Sequence, residues 1–169
     1  RHGLTAYRVE LVPIHGGSLR VFAGKNRQPD ETVRQMLNKE ADSMTTPGYY
    51  DAFAQRVDQL KHETVSLLRD LKADGKRIAA YGASAKGSTL LSYFGIGADT
   101  LDYVVDRSTF KQGHYTPGTH LPIYAPEKLV EDQPDYVLLL VWNFAEEILS
   151  QQQAYRDAGG KFIVPIPSL

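Results

Sequence analysis

The segment Tyr81-Gly82-Ala83-Ser84-Ala85-Lys86-Gly87-Ser88 combines two glycines, small residues, a hydroxyl and an ammonium. That mixture lets a backbone turn tightly and come close to an anion. It has the look of a dinucleotide fingerprint with Ser84 where the second glycine belongs, and it is not a P-loop, because Lys86 precedes Gly87. Ser84 and Lys86 beside a helix N-terminus suit a diphosphate; the same small residues also suit close packing of strand on helix. Asp106 follows an apolar run, the place where an acidic residue meets a ribose hydroxyl, and a place where Asp also serves as a turn residue. The stretch Arg107 to His120 after it, with Lys111, Tyr115 and His120, is long for an α/β connection and rich in donors and aromatics. Trp142-Asn143-Phe144 offers an aromatic face and an amide, or else belongs to the core. Among five histidines, His15 in His15-Gly16-Gly17-Ser18 is the one exposed by flanking glycines, either a candidate general base or a turn cap. His62 falls on the outer face of a helical stripe. No His pair has metal-ligand spacing with carboxylates.

Such groups need elements to hold them. Tyr7 to Val12 and Leu19 to Ala23 read as two strands about a glycine turn, followed by a short helix from Asp30 to about Lys39. After Thr45-Thr46-Pro47-Gly48, the residues Phe53, Val57, Leu60, Thr64, Leu67 and Leu71 recur at spacings of four and three, the stripe of a long amphipathic helix that Asp74-Gly75 ends. Strands and helices then alternate. Lys76 to Tyr81 is a strand, Ser88 to Phe94 a helix, Leu101 to Val105 a strand and Glu127 to Glu131 a short helix. Asp135 to Trp142 is a strand covered on both faces, Asn143 caps a helix to about Ala158, and Phe162 to Val164 is a last strand. This order predicts an α/β fold: a Rossmann-like three-layer domain with a parallel sheet, preceded by N-terminal strands and a long helix. The expected division is a leading segment, 1–75, and a Rossmann-like core, 76–169. Ligands then belong beyond the carboxyl ends of the strands, where the three polar segments fall.

The chain has 169 residues and a formal net charge of −1, with no Cys. The balance speaks against nucleic acid or an anionic membrane as partner, and the missing thiols remove disulfides, thiolate zinc sites and cysteine nucleophiles. The longest uncharged apolar run, Tyr136 to Trp142, is strand-sized and far short of the roughly 18 residues of a spanning helix. A start at Arg1 with no initiator Met and no signal-like region suggests a fragment of a longer protein, and the charge and absent Cys fit a bacterial cytoplasm. Two readings of other classes share these features: an NAD(P)-binding oxidoreductase domain, and a purely structural module.

The strings HGGSLRVFAG (15–24), RIAAYGASAKGSTLLSYFGIG (77–97), LDYVVDRSTFKQGHYTPGTHLPIY (101–124), PDYVLLLVWNFAEEI (134–148) and GGKFIVPIP (159–167) occur in this order. Together they resemble the C-terminal domain of S-adenosylmethionine-dependent sugar C-methyltransferases over nearly the whole chain. The resemblance implies a bacterial deoxysugar-biosynthesis enzyme with an N-terminal zinc-binding segment, a central S-adenosylmethionine-binding domain and this domain, which holds the nucleotide of a dTDP-linked or related nucleoside-diphosphate keto-sugar. It implies methyl transfer to a sugar carbon next to a keto group. The family's zinc cysteines, its S-adenosylmethionine glycine motif and its Tyr-x-Glu-His acid/base segment lie upstream, so no cofactor, metal or catalytic residue is expected here and the chain alone is expected to be inactive. What carries over is Tyr81 to Ser88 as diphosphate cradle (Tyr81, Gly82, Ser84, Lys86, Gly87). Asp106, Arg107, Lys111, Tyr115, His120, Trp142, Asn143 and Phe144 carry over as nucleotide-sugar contacts, and His15-Gly16-Gly17-Ser18 as a signature near the domain junction.

Overall fold

The computed structural model describes residues 2–14, 17–41 and 43–166. His15 lies outside the described residues. The chain divides into two units, Arg1–Val57 and Asp58–Leu169.

In the first unit, strands β1 (Thr5–Val12) and β2 (Ser18–Gly24) pair antiparallel, as their alternation predicts, with Val9 opposite Val21 and Leu11 opposite Leu19. Helix α1 (Glu31–Ala41) follows. Its start is set by Asp30, whose carboxylate accepts from the Thr32 amide at 2.9 Å and the Val33 amide at 3.4 Å. The hydrogen bond from the Thr32 hydroxyl, more than any other contact, holds the Asp30 carboxyl below its usual range. Helix α2 (Pro47–Ala73) is the long amphipathic element expected, and Gly75 beyond it takes a φ of 74°, a conformation that stops a helix.

The second unit is a parallel sheet between two helical layers. Strands β3 (Ile78–Tyr81), β4 (Val104–Val105), β5 (Ile123–Tyr124), β6 (Tyr136–Leu139) and β7 (Lys161–Ile163) lie in the order β5-β4-β3-β6-β7, every pair parallel. All four residues of β3 are buried, because side chains alternate between two covered faces. Ile78 and Ala80 pack with Leu68 of α2 and with Leu90, Leu91 and Phe94 of helix α3 (Ala85–Phe94). Ala79 and Tyr81 pack instead with Leu129 of α4 (Lys128–Asp132), Ile148 of α5 (Ala145–Gln151) and Tyr155 of α6 (Gln153–Asp157). This is the Rossmann-like α/β architecture predicted. No helix among the described residues is long and apolar enough to cross a membrane.

The elements differ from expectation in several places, and the strand expected over Asp135 to Trp142 ends at Leu139, where the chain turns. The strand expected over Leu101 to Val105 shrinks to Val104–Val105, since the Leu101 amide donates to Gly97 O at 2.9 Å in a turn that brings the chain onto the sheet. Strand β5 was not expected: it completes the loop after β4 and takes the edge position, where Ile123 also exchanges backbone bonds with Gly113 and His114. Helix α3 begins at Ala85 instead of Ser88, because Ser84 caps it by accepting from the Gly87 amide at 3.0 Å. Finally, the single helix expected from Asn143 to about Ala158 is a 3₁₀ turn (Trp142–Phe144) followed by α5 and α6. The N-cap position of α5 is Phe144, not Asn143, whose side-chain oxygen accepts from Lys86 Nζ at 2.8 Å. The Arg156 guanidinium donates to the Leu149 carbonyl across the break at Gln152.

Candidate functional site

From β3 the chain winds to β4 and β5 on one side, then returns to lay β6 and β7 on the other. The carboxyl ends of β3 and β6 are therefore a topological switch point, where two connections leave in opposite directions and a crevice opens between them. A cleft of about 300 Å³ lies there. Tyr81 and Gly82 line it at the end of β3, Asp106 and Arg107 after β4, and Val141, Phe144, Glu147 and Ile148 after β6.

Each wall has a local cause. Gly82 has a φ of 99°, and a β-carbon there would stand 2.6 Å from Val141 Cγ2, so glycine is required by the closeness of the two strand ends. At Gly87 a β-carbon would stand 2.8 Å from Leu140 Cβ. Both glycines thus answer to strand and helix packing. The loop's amides are partly spent: Gly82 N donates to Val105 O at 2.7 Å, Ala83 N to Asp106 Oδ2 at 2.7 Å and Gly87 N to Ser84 Oγ. The amides of Ser84, Ala85 and Lys86 have no protein partner among the described residues, as the first turn of a helix leaves them.

Asp106 is a brace between loops. Besides Ala83 N, its carboxylate accepts from Ser108 N at 2.8 Å and Lys111 Nζ at 3.1 Å, with the side chain 13% exposed. Its oxygens are therefore occupied at the position where a ribose acceptor was expected. Arg107 stands at the mouth: Nη1 is 3.1 Å from Glu147 Oε1 and 3.3 Å from Gln151 Oε1. Tyr81 is buried and its hydroxyl has no hydrogen bond, although the Gln152 amide stands near it. Burial, above all, pushes its phenol up from the usual value, against the pull of Arg107. The phenol therefore stays protonated and able to donate.

Of the residues singled out in the sequence, Tyr81, Gly82, Asp106, Arg107 and Phe144 meet in this cleft, and Lys111 joins it through Asp106. Lys86, Trp142 and Asn143 form a bracket beside it, with Lys86 Nζ 5.2 Å from the Trp142 ring centroid. The Lys86 ammonium thus spans to the segment after β6. Tyr115 and His120 do not line the cleft: Tyr115 is exposed and bridges to Pro122, and His120 takes a φ of 52° in the turn that returns to β5. Val141, Glu147 and Ile148 went unremarked in the sequence. Phe144, Glu147 and Ile148 are spaced three and four apart, the spacing of one helix face, which was a legible signal.

A family model described as "C-methyltransferase C-terminal domain" matches residues 13–167. The chain is also 39% identical over 170 residues to C-methyltransferase NovU of Streptomyces niveus, an alignment covering 98% of this chain and 40% of that protein. It thus spans about two fifths of the length of the curated relative it matches. With a Rossmann-like sheet, a switch-point cleft and a family match from one end to the other, this chain belongs to the C-terminal domain family of C-methyltransferases.

Proposed function

We propose that this domain is the substrate-holding part of a bacterial, cytoplasmic S-adenosylmethionine-dependent sugar C-methyltransferase. It binds the nucleoside diphosphate of a keto-sugar, dTDP-linked, through the core formed by residues 76–169. The observation that carries this reading is the switch-point cleft, with an apolar floor of Val141, Phe144 and Ile148, a guanidinium at its mouth and the open amides of Ser84, Ala85 and Lys86 beside it. A nucleoside diphosphate needs that combination: a face for a ring, and fixed donors for phosphoryl oxygens.

The setting of Asp106 weighs against the methyl donor or a dinucleotide in this cleft. Asp106 would meet their ribose, and it already accepts from Ala83, Ser108 and Lys111. This speaks against the NAD(P) reading as well. The chain has no Cys, and the described residues contain no group of three His, Asp or Glu suited to a metal. By the family resemblance, donor and zinc belong to other parts of the protein, and this chain alone is expected to transfer no methyl group.

The division of labour has a physical basis. Moving a methyl group to a carbon beside a ketone requires the sugar to be fixed, and contacts to the non-reacting nucleotide supply that fixation. Calorimetric titration with dTDP tests the proposal. Binding is expected, and Arg107→Ala should weaken it about tenfold by removing a charge-assisted contact. Absence of binding, or an unchanged affinity in the variant, overturns it.

A further inference from the structure

We infer that Glu147 is a specificity-determining residue of this cleft, exchanging its partner Arg107 for a hydroxyl of the incoming nucleotide or nucleotide sugar. This rests on the proposal that the cleft takes a nucleoside diphosphate. Glu147 lines the cleft, and both it and Arg107 are more than half exposed, at 56% and 65%. Their ion pair joins the loop after β4 to α5, and Gln151 steadies it from both sides: its Oε1 accepts from Arg107, and its Nε2 donates to Glu147 Oε1 at 2.7 Å. A pair so exposed is screened and holds weakly, so a better partner displaces it readily. A diphosphate is that partner for Arg107, since it offers paired oxygens to the guanidinium fork.

The exchange leaves a carboxylate near the phosphoryl groups. Taken alone that is unfavourable, because like charges repel in a partly enclosed site. What makes a carboxylate useful there is a donor, and a ligand of this class carries its donors on ribose or sugar hydroxyls. The other cleft carboxylate is the less available acceptor, since Asp106 already accepts from three protein donors and its side chain is 13% exposed. Glu147 has one donor, the Gln151 amide, once Arg107 leaves. The cleft would thus separate two ligand features: Arg107 reads the phosphate and Glu147 reads a hydroxyl. Inorganic phosphates carry the first feature only.

The test is a titration of the intact protein and its variants with inorganic pyrophosphate, dTDP and dTDP-glucose. Glu147→Ala should tighten pyrophosphate about threefold by removing the repulsion, while weakening dTDP-glucose about tenfold by removing the acceptor. Glu147→Gln keeps an acceptor without the charge, so it should tighten pyrophosphate equally and restore most of the dTDP-glucose affinity. Weakening already seen with dTDP assigns the deoxyribose hydroxyl, and weakening seen only with dTDP-glucose assigns a sugar hydroxyl; either supports the inference. Changes of the same direction and size for all three ligands, or no change, overturn it while leaving the nucleotide-binding proposal standing. A wild-type protein that binds none of the three overturns both.

Discussion

Single residues carry opposite burdens in this domain. Tyr81 and Thr64 are buried with hydroxyls that have no hydrogen-bond partner among the described residues. A buried hydroxyl without a partner costs its desolvation, so Thr64→Val should stabilise the protein by about 1 kcal/mol in urea denaturation. Gly82 is the reverse case. Gly82→Ala forces a side chain into a φ of 99° and against Val141, and should cost about 3 kcal/mol in the same measurement. The Asp135 carboxyl sits below its usual range, chiefly because it accepts from the Arg77 amide at 2.9 Å, with Lys76 adding to the effect. A depressed carboxyl contributes stability that is complete above its unfolded value, near 4, and is lost as pH falls through the folded value. Asp135→Asn should therefore flatten the loss of melting temperature below about pH 4 while moving the neutral-pH value less. Equal slopes in the two proteins would show that Asp135 plays no part in the acid limb.

Elements are joined here by side chains that reach from one loop into another. Asp106 ties the turn after β3 to the loop after β4, and Lys86 ties α3 to the turn after β6. Removing the first tie leaves the Ala83 and Ser108 amides in a partly buried place without an acceptor. Asp106→Ala should therefore cost about 2 kcal/mol and quicken hydrogen exchange at both amides. If exchange at Ala83 and Ser108 stays slow, the brace is not what orders these loops. The cap on α3 is of ordinary strength, and the Ser84→Ala cost should be about 1 kcal/mol.

The whole molecule draws its stability from the sheet unit. Among the described residues, Val33 is the buried apolar residue of Arg1–Val57, whereas both core clusters belong to Asp58–Leu169. A two-stranded hairpin with so little buried surface adds little to a cooperative fold. A chain beginning at Thr46, which keeps α2 complete, should thus retain a cooperative thermal transition and the far-ultraviolet spectrum of an α/β domain. A broad, non-cooperative melt of that shorter chain would show that the first unit is needed for the sheet to fold.

Local order was legible without coordinates because it is written in neighbouring residues. The alternation in Tyr7 to Val12 and the stripe from Phe53 to Leu71 each repeat at the period of their element, although Phe53 itself is exposed, and the apolar run within Asp135 to Trp142 marks a strand covered on both faces. Two-residue β5 has no period to display, and it was found only in the fold. The ends of the strands pointed to Tyr81, Asp106 and Phe144 by topology alone. Which polar groups remain open to a ligand was decided by tertiary contacts. Asp106 meets Ala83 across 23 positions, Arg107 meets Glu147 across 40, and Lys86 meets Asn143 across 57. Partners that far apart in the chain leave no pattern in either neighbourhood. Their pairing exists only once the sheet has set β4, β3 and β6 side by side.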